Sequence, residues 1–451
     1  MKKINYLKLY LEKRMLRIFL IGIISGFPWV LIGSALTLWL KENEISRSTI
    51  GWAGLIFSVY AINFLWAPLI DRIQIPFLSK KIGHRKSWII LMQFIIFSCL
   101  IVWSFLDPTK NLLLIIIVGL GIAISSSTQD ITLDALRIEQ IGKNEGKSMA
   151  AGAAVSVVGW WTGYKIGGVI SLVSAELFQK QGFENYWQMS FLILTTIIAL
   201  CTFGLMLIPE AVSTQRQKFQ LIADQKILNK LGVSNNFTKI VTWISGMLIN
   251  PLTSFFKKNG FKVALGILSF IFLFKIGEAF LGRMSIMFYK EIGFSKIDIA
   301  LYSKGIGWIT TIIFTLLGGL FAMRMGLLKA MFVSGIIMAS TNLMFSILAW
   351  VGPSEILFAF TVLIDDLAAA FATVAFVGFI SALVDRTYTA TQYALLASIG
   401  TAGRTLFASS SGTLVDWLNG DWGIFFIITA IMVIPSLLCL IAIKDKLKLN
   451  E

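Results

Sequence analysis

The chain has 451 residues, 57% of them hydrophobic and only 14% charged, with a mean hydropathy of +0.80 and a formal net charge of +15. A soluble globular domain of this length does not carry that balance. The basic excess is confined to alternate loops, which excludes nucleic acid as its reason.

Twelve hydrophobic stretches run along the chain, at 16–40, 49–70, 87–106, 111–135, 148–175, 186–208, 261–288, 297–322, 327–350, 353–383, 387–414 and 422–443. Each is long enough to cross roughly 30 Å of hydrocarbon as a helix. With residues at span ends assigned to the adjoining loop, the N-terminus, the even-numbered loops and the C-terminus hold 28 of the 39 Lys and Arg; the odd-numbered loops hold 6 and the spans 5. The positive-inside rule then places both termini in the cytoplasm. The predicted fold is an all-α integral membrane protein.

Taken in chain order, the basic N-terminus leads into a first apolar run too long for a cleaved signal peptide, so span 1 reads as a retained helix. Its Gly26-Phe27-Pro28 is a place for a local break, followed at once by Trp29. Span 2 ends in Asp71-Arg72, and the next loop holds the only histidine, His84, with Arg85 and Lys86. Span 4 departs most sharply from apolar character, with Thr128, Gln129, Asp130 and Asp134 in sequence. A charge in hydrocarbon costs at least about 2.5–3.5 kcal/mol, and residues four apart share one helix face. That face should therefore look onto a polar interior. Span 5 carries Trp160, Trp161 and Lys165.

The polar stretch 209–260 separates residues 1–208 from 261–451, six spans each. Within it Phe237 to Phe256 reads as an amphipathic segment on the cytoplasmic surface; two short extra membrane segments are the alternative. Span 7 carries Lys275, Glu278 and Arg283, span 8 Lys304 and Trp308, span 10 Asp365 and Asp366, and span 11 Gln392 and Arg404. Across all spans five carboxylates stand against five cations. Alone each would be costly, so they must be paired or hydrated, although Arg283 is near enough to a span end to snorkel. Cys99, Cys201 and Cys439 fall in spans and read as small apolar core residues.

The two halves repeat faintly. Lys41-Glu42 with Ser46-Arg47 after span 1 matches Lys290-Glu291 with Ser295-Lys296 after span 7. Asp71-Arg72 matches a degraded Met323-Arg324, and Asp130/Asp134 match Asp365/Asp366. Parallel repeats imply two six-helix bundles with a substrate site between them near the midplane. The candidate pathway comprises Thr128, Gln129, Asp130, Asp134, Lys165, Lys275, Glu278, Lys304, Asp365, Asp366, Gln392 and Arg404. Trp29, Trp160, Trp161 and Trp308 lie away from span ends, where they either pack as core or stack on sugar rings. Since His84 lies outside the membrane, a coupling proton requires a carboxylate, with Asp130 or Glu278 favoured.

The segment Ala67-Pro68-Leu69-Ile70-Asp71-Arg72 with Gly83-His84-Arg85-Lys86 resembles the major facilitator signature Gly-x-x-x-Asp-Arg-x-Gly-Arg-Arg, with Ala67 for the first glycine and about eight extra residues inside it. The resemblance implies a cytoplasmic latch between the bundles, made by Asp71 with Arg72, Arg85 and Lys86. A closer likeness is carried by four blocks: Phe64 to Arg72, Ser127 to Ala135, Leu273 to Phe280, and Thr389 to Leu396 followed by Gly403-Arg404. These resemble the AmpG-type muropeptide permeases. That family's fold and activity imply proton-driven import of N-acetylglucosaminyl-1,6-anhydro-N-acetylmuramyl peptides across the inner membrane of Gram-negative bacteria, serving cell-wall recycling and β-lactamase induction. The sequence departs from the family at Glu278, usually Asp, at Asp365-Asp366, usually Glu-Asn, and at Trp160-Trp161, usually Tyr-Arg.

The expected protein is thus a monomeric twelve-span symporter for a glycopeptide, surrounded by lipid. It needs no metal or cofactor beyond the proton gradient. Carriage of another large anion, such as an acyl-coenzyme A or a nucleotide, remains an alternative, as does a non-transporting sensor. An embedded transferase fits poorly with one histidine and short periplasmic loops.

Overall fold

The computed structural model describes residues 6–45, 53–142, 145–210, 222, 249–294, 307–408 and 410–447. Among these, every regular element is helical. Lipid offers no partner for backbone N–H and C=O groups, and only a helix satisfies them within one apolar run.

The helices coincide with the twelve predicted spans. Span 1 is Lys13–Glu42, span 2 a series of short helical pieces over 54–72, span 3 His84–Trp103, span 4 Pro108–Glu139, span 5 Gly146–Lys180 and span 6 Tyr186–Met206. Span 7 is Phe261–Leu273 continued by Ile276–Glu291, span 8 Gly307–Met325, span 9 Leu327–Val351 and span 10 Glu355–Leu383. Span 11 is Thr389–Ala408 with a short extension, and span 12 is Trp422–Ile431 with Ile434–Lys444. Of the linker, residues 249–259 form a helix. Most of the expected surface segment, 237–248, lies outside the described residues, as do Ser46-Arg47 and Ser295-Lys296.

One apolar core, around Trp39, Trp103 and Phe191, belongs to the first six spans. Another, around Phe288, Phe345 and Phe426, belongs to the last six. A third runs from Met15 and Met149 to Phe270 and Phe379 and joins the two sets. The seam has a repeated pattern. Span 5 packs on span 1 and crosses to spans 8 and 10; span 11 packs on span 7 and crosses to spans 2 and 4.

The closest pairing joins spans 1 and 5. A methyl group added at Gly22 would lie 2.9 Å from the Gly159 Cα, and one added at Gly159 would meet the Phe19 carbonyl. Gly22 and Gly26, with Gly159 and Gly163, give the small-x-x-x-small spacing that lets membrane helices touch backbone to backbone. Gly403 of span 11 lies against the Phe272 backbone of span 7 in the same manner.

The expected break at Gly26-Phe27-Pro28 takes a mild form. Phe27 keeps helical dihedrals, and the accommodation comes just afterwards as a π-helical turn over Leu31–Ala35. Proline has no N–H to give the carbonyl four residues back. That carbonyl, of Ile24, instead accepts the Gln129 side-chain amide at 3.0 Å. Span 7 is broken more plainly, at Phe274-Lys275.

Gly159→Ala should lower the thermal unfolding temperature of the detergent-solubilised protein, because overpacking costs about 1–3 kcal/mol. Gly168→Ala, in the same helix with no atom within 4 Å of the added carbon, should leave it unchanged or slightly raised. Equal behaviour of the two variants would refute the packing argument.

Candidate functional site

One face of the molecule is closed by polar links between the halves. Asp71, buried at the end of span 2, accepts the Thr391 backbone N–H at 2.8 Å and its hydroxyl at 2.6 Å. Thr391 lies in the first turn of span 11, where helix N–H groups lack internal partners and the helix dipole favours an anion. Arg85 is fully buried and donates to Asp71 at 2.7 Å and to Glu139 at 3.1 Å. In the opposite sense, Arg386, between spans 10 and 11, donates to the carbonyls of Ile138 and Ile141 at the end of span 4. Arg137 donates to Ser381 at 3.1 Å and lies 5.5 Å from the centre of the Tyr393 ring.

Of the predicted latch residues, Asp71 and Arg85 therefore meet, and Arg72 stands half-buried beside them at the helix end. Lys86 does not join Asp71. Its ammonium donates to the Met206 carbonyl, and the backbone N–H groups of Lys86 and Arg85 donate to Glu210 at 3.0 and 2.8 Å. Glu210 thereby caps span 3, and burial holds its carboxyl above the ordinary value against those donors. Gln392 also departs from expectation. It lies at the closed face, donating to the Pro251 carbonyl of the linker helix at 2.8 Å and accepting from the Asp385 N–H at 2.6 Å. Burial pushes the Asp385 carboxyl upward, but donors from Thr387 and Ser254 hold it below its usual range.

Behind this face lies a cavity of about 620 Å³ between spans 5, 7, 8, 10 and 11. It extends along span 11 from buried Tyr393, at the closed end, to exposed Arg404, about three turns away. Trp160, Trp161, Lys165, Lys275, Glu278 and Asp366, all among the candidate residues read from the sequence, line it. Lys275 stands at the break in span 7, with its ammonium 3.0 and 2.9 Å from the two carboxylate oxygens of Glu278 and 2.8 Å from the Thr373 hydroxyl. The Lys165 ammonium lies over the Trp161 ring, 5.8 Å from its centre. Among the described residues neither Lys165 nor Arg404 has an anionic partner. Trp160 stacks on Tyr164 and meets Trp161 and Trp29 edge-on.

The span 4 residues sit one layer behind the cavity wall. Asp130 accepts the Ser25 hydroxyl at 2.7 Å and the Trp29 indole at 3.4 Å, and Trp29 touches Trp160. Asp134 pairs with Arg137 at 3.0 Å, and Arg137 faces Tyr393. Thr128 accepts the Trp66 indole at 2.9 Å, and Gln129 serves Ile24. Both are used between helices, away from the cavity lining. Asp365 accepts from Thr341 of span 9 at 3.1 Å. Lys304 and the side chain of Trp308 lie outside the described residues. Sequence reasoning missed Tyr393, Arg386 and Glu139. Arg137 and Glu139 had a signal, three and five residues beyond Asp134 near the end of the helix.

Residues 18–308 match the Major Facilitator Superfamily, and the chain belongs to it. It falls within the superfamily's AmpG group: the Rickettsia felis protein named transporter AmpG 4 is 34% identical over 439 residues, which cover 97% of this chain and 98% of that one. The anhydromuropeptide permease of Escherichia coli K12 is 28% identical over 98% of this chain and 82% of its own length. In fold, the chain is similar to the proton:xylose symporter XylE, with a TM-score of 0.62 at 15% identity and 94% coverage of both chains. A bacterial ferroportin homologue in an outward-facing state matches with a TM-score of 0.62 at 13% identity, over 96% of this chain and 98% of that one. The protein is a multi-pass membrane transporter.

Asp71→Ala should loosen the closed face. Removing one partner of a buried charge pair costs about 3–5 kcal/mol. A cysteine placed at buried Ser381, after replacement of Cys99, Cys201 and Cys439, should then react with a water-soluble maleimide at least tenfold faster than in the Asp71 parent. An unchanged labelling rate would rule out the latch.

Proposed function

We propose that the protein imports anhydromuropeptides from periplasm to cytoplasm across the bacterial inner membrane, by alternating access coupled to protons. The observation that carries this reading is the composition of the cavity. Two cations without anionic partners among the described residues, Lys165 and Arg404, a Lys275–Glu278 pair and two tryptophans face one space large enough for a glycopeptide, in a chain of the AmpG group. The cations suit peptide carboxylates, the carboxylates suit amines, and the aromatic rings suit sugars. Carriage of acyl-coenzyme A or a nucleotide draws on the same cations, and the base of either ligand would stack on the same tryptophans, so it is the AmpG group membership that favours the glycopeptide.

The loop charges assign the closed face to the cytoplasm and both termini to the same side. The cavity then loads from the periplasm. Release to the cytoplasm requires Asp71 to leave the first turn of span 11 and Arg386 to leave the end of span 4, while the opposite side closes over the cavity. Spans 1–6 and 7–12 move as the two rocking bodies.

Two carboxylates are placed to couple this motion to a proton. Protonation of Glu278 removes the charge that holds Lys275, freeing the ammonium at the break in span 7. Protonation of Asp130 alters its bonds to Ser25 and Trp29, next to the π-helical turn of span 1. Either event links proton occupancy to a helix irregularity beside the cavity.

Right-side-out vesicles should take up labelled anhydromuropeptide under an inward proton gradient, and a protonophore should abolish the uptake. Asp130→Asn or Glu278→Gln should reduce pH-driven uptake at least tenfold. If both variants retain it, proton coupling lies elsewhere. Competition by coenzyme A but not by a disaccharide-peptide would transfer the reading to another large anion.

A further inference from the structure

We infer that the cavity recognises its ligand at two chemically distinct poles supplied by opposite halves of the chain: a saccharide pole at Trp160 and Trp161 on span 5, and a carboxylate pole at Arg404 on span 11. The inference rests on the glycopeptide reading above and adds which end of the ligand meets which half.

The saccharide pole is marked by unused donors. An indole N–H in a protein interior ordinarily finds an acceptor. Six of the described tryptophans do so, Trp29, Trp66, Trp88, Trp103, Trp187 and Trp422 donating to Asp130, Thr128, the Ile73 and Ile115 carbonyls, Glu42 and Glu291, whereas Trp39 is packed in the apolar core without an acceptor among the described residues and Trp350 and Trp417 are exposed. Trp160 and Trp161 line the cavity and, among the described residues, donate to nothing. An indole carries one donor and no acceptor, so its complement is an acceptor oxygen, which a sugar hydroxyl or an acetamido carbonyl supplies alongside an apolar ring face for the indole to stack on. Both rings are already oriented by the protein: Trp160 stacks on Tyr164 with centroids 5.5 Å apart, and Lys165 sits over Trp161. Lys165 is thus a positioning residue for Trp161, through attraction between its ammonium and the ring face.

The carboxylate pole follows by comparison of the cavity cations. Lys275 is matched by Glu278 and Thr373, and Lys165 is engaged with a ring. Arg404 has neither an anion nor a ring among the described residues, and it is exposed at the end of the cavity away from Tyr393. A guanidinium offers parallel donors that fit a carboxylate in bidentate fashion. The two poles do not exchange roles, since an indole donor cannot neutralise a carboxylate and Arg404 supplies no aromatic surface.

Span 5 belongs to the first six spans and span 11 to the last six. A ligand carrying both a saccharide and a free carboxylate bridges the halves, whereas a fragment carrying one group contacts one half. Only a ligand with unequal affinity for two conformations shifts their populations. Fragments should accordingly bind without being transported.

The test uses purified full-length protein in detergent and isothermal titration with two probes, neutral N,N′-diacetylchitobiose and the dipeptide N-acetyl-alanyl-glutamate, whose blocked amine leaves two carboxylates as its only charges. The double variant Trp160→Phe/Trp161→Phe keeps an aromatic ring at each position while removing the N–H donor and part of the stacking surface; it should weaken chitobiose binding about tenfold and dipeptide binding less than twofold, the scale of lost hydrogen bonds. Arg404→Gln should weaken the dipeptide at least tenfold and chitobiose less than twofold, and Arg404→Lys should recover part of the loss. The inference falls if either variant weakens both probes alike, if neither weakens its own probe, or if the unaltered protein binds neither. Selective probe binding without anhydromuropeptide uptake would keep the two poles and sink the proposed substrate. Uptake with unselective probes would do the reverse.

Discussion

The Asp71 carboxylate is the acceptor on which the closed state depends. It takes a guanidinium from its own half and a backbone N–H and hydroxyl from the other half, all in a region stripped of water. Buried charge without partners is expensive, and a buried pair that loses one member is worse off than two apolar residues. The Asp71 site is therefore stable with all its donors in place and costly with some. Such an arrangement favours two discrete states over a continuum. Arg386 at the end of span 4 supplies the complement, a cation on a helix C-terminus where Asp71 is an anion on an N-terminus.

Twelve spans were legible in the sequence because a membrane leaves the backbone only one solution for a long apolar run. The ionisable residues were equally legible, since their cost in hydrocarbon demands a reason. Which partners they meet was less so. The spacing of Asp130 and Asp134 gives a shared face and not the neighbours that face it. Thr128 and Gln129, next in line, proved to be committed elsewhere. For Gln129 the reason was written one helix away: Pro28 leaves the Ile24 carbonyl without its usual donor, and Gln129 supplies one. Gln392 and Lys86 went astray for a related cause. Both are polar residues at helix beginnings, where unpaired backbone groups and loop carbonyls compete for a side chain as strongly as any cavity does.

Tyr393 was missed because a tyrosine in an apolar helix gives no sign of function. The structure puts it at the closed end of the cavity, in contact with the cation paired to Asp134. It thereby joins the latch to the cavity. Of the four blocks that carry the family resemblance, Ser127 to Ala135 lies one layer behind the cavity, and the structure gives the other three different places. Phe64 to Arg72 closes one face, Leu273 to Phe280 lines the cavity at the break in span 7, and Thr389 to Arg404 runs the full distance between them.

The seam between the halves is uneven. Where span 11 meets spans 2 and 4 it is held by Asp71, Arg386 and Arg137. Where span 5 meets spans 8 and 10 it is built from small apolar groups, with Ala153, Ala154 and Val374 fully buried together and Gly378 beside Ala153. The acid that would repeat Asp71 is absent, its place taken by Met323-Arg324. Parting the first edge exchanges protein hydrogen bonds for water, whereas parting the second exposes hydrocarbon surface near the membrane boundary, with the rise in heat capacity that such hydration brings. The two edges of one interface thus have different temperature coefficients, so the relative cost of parting them changes with warming or cooling.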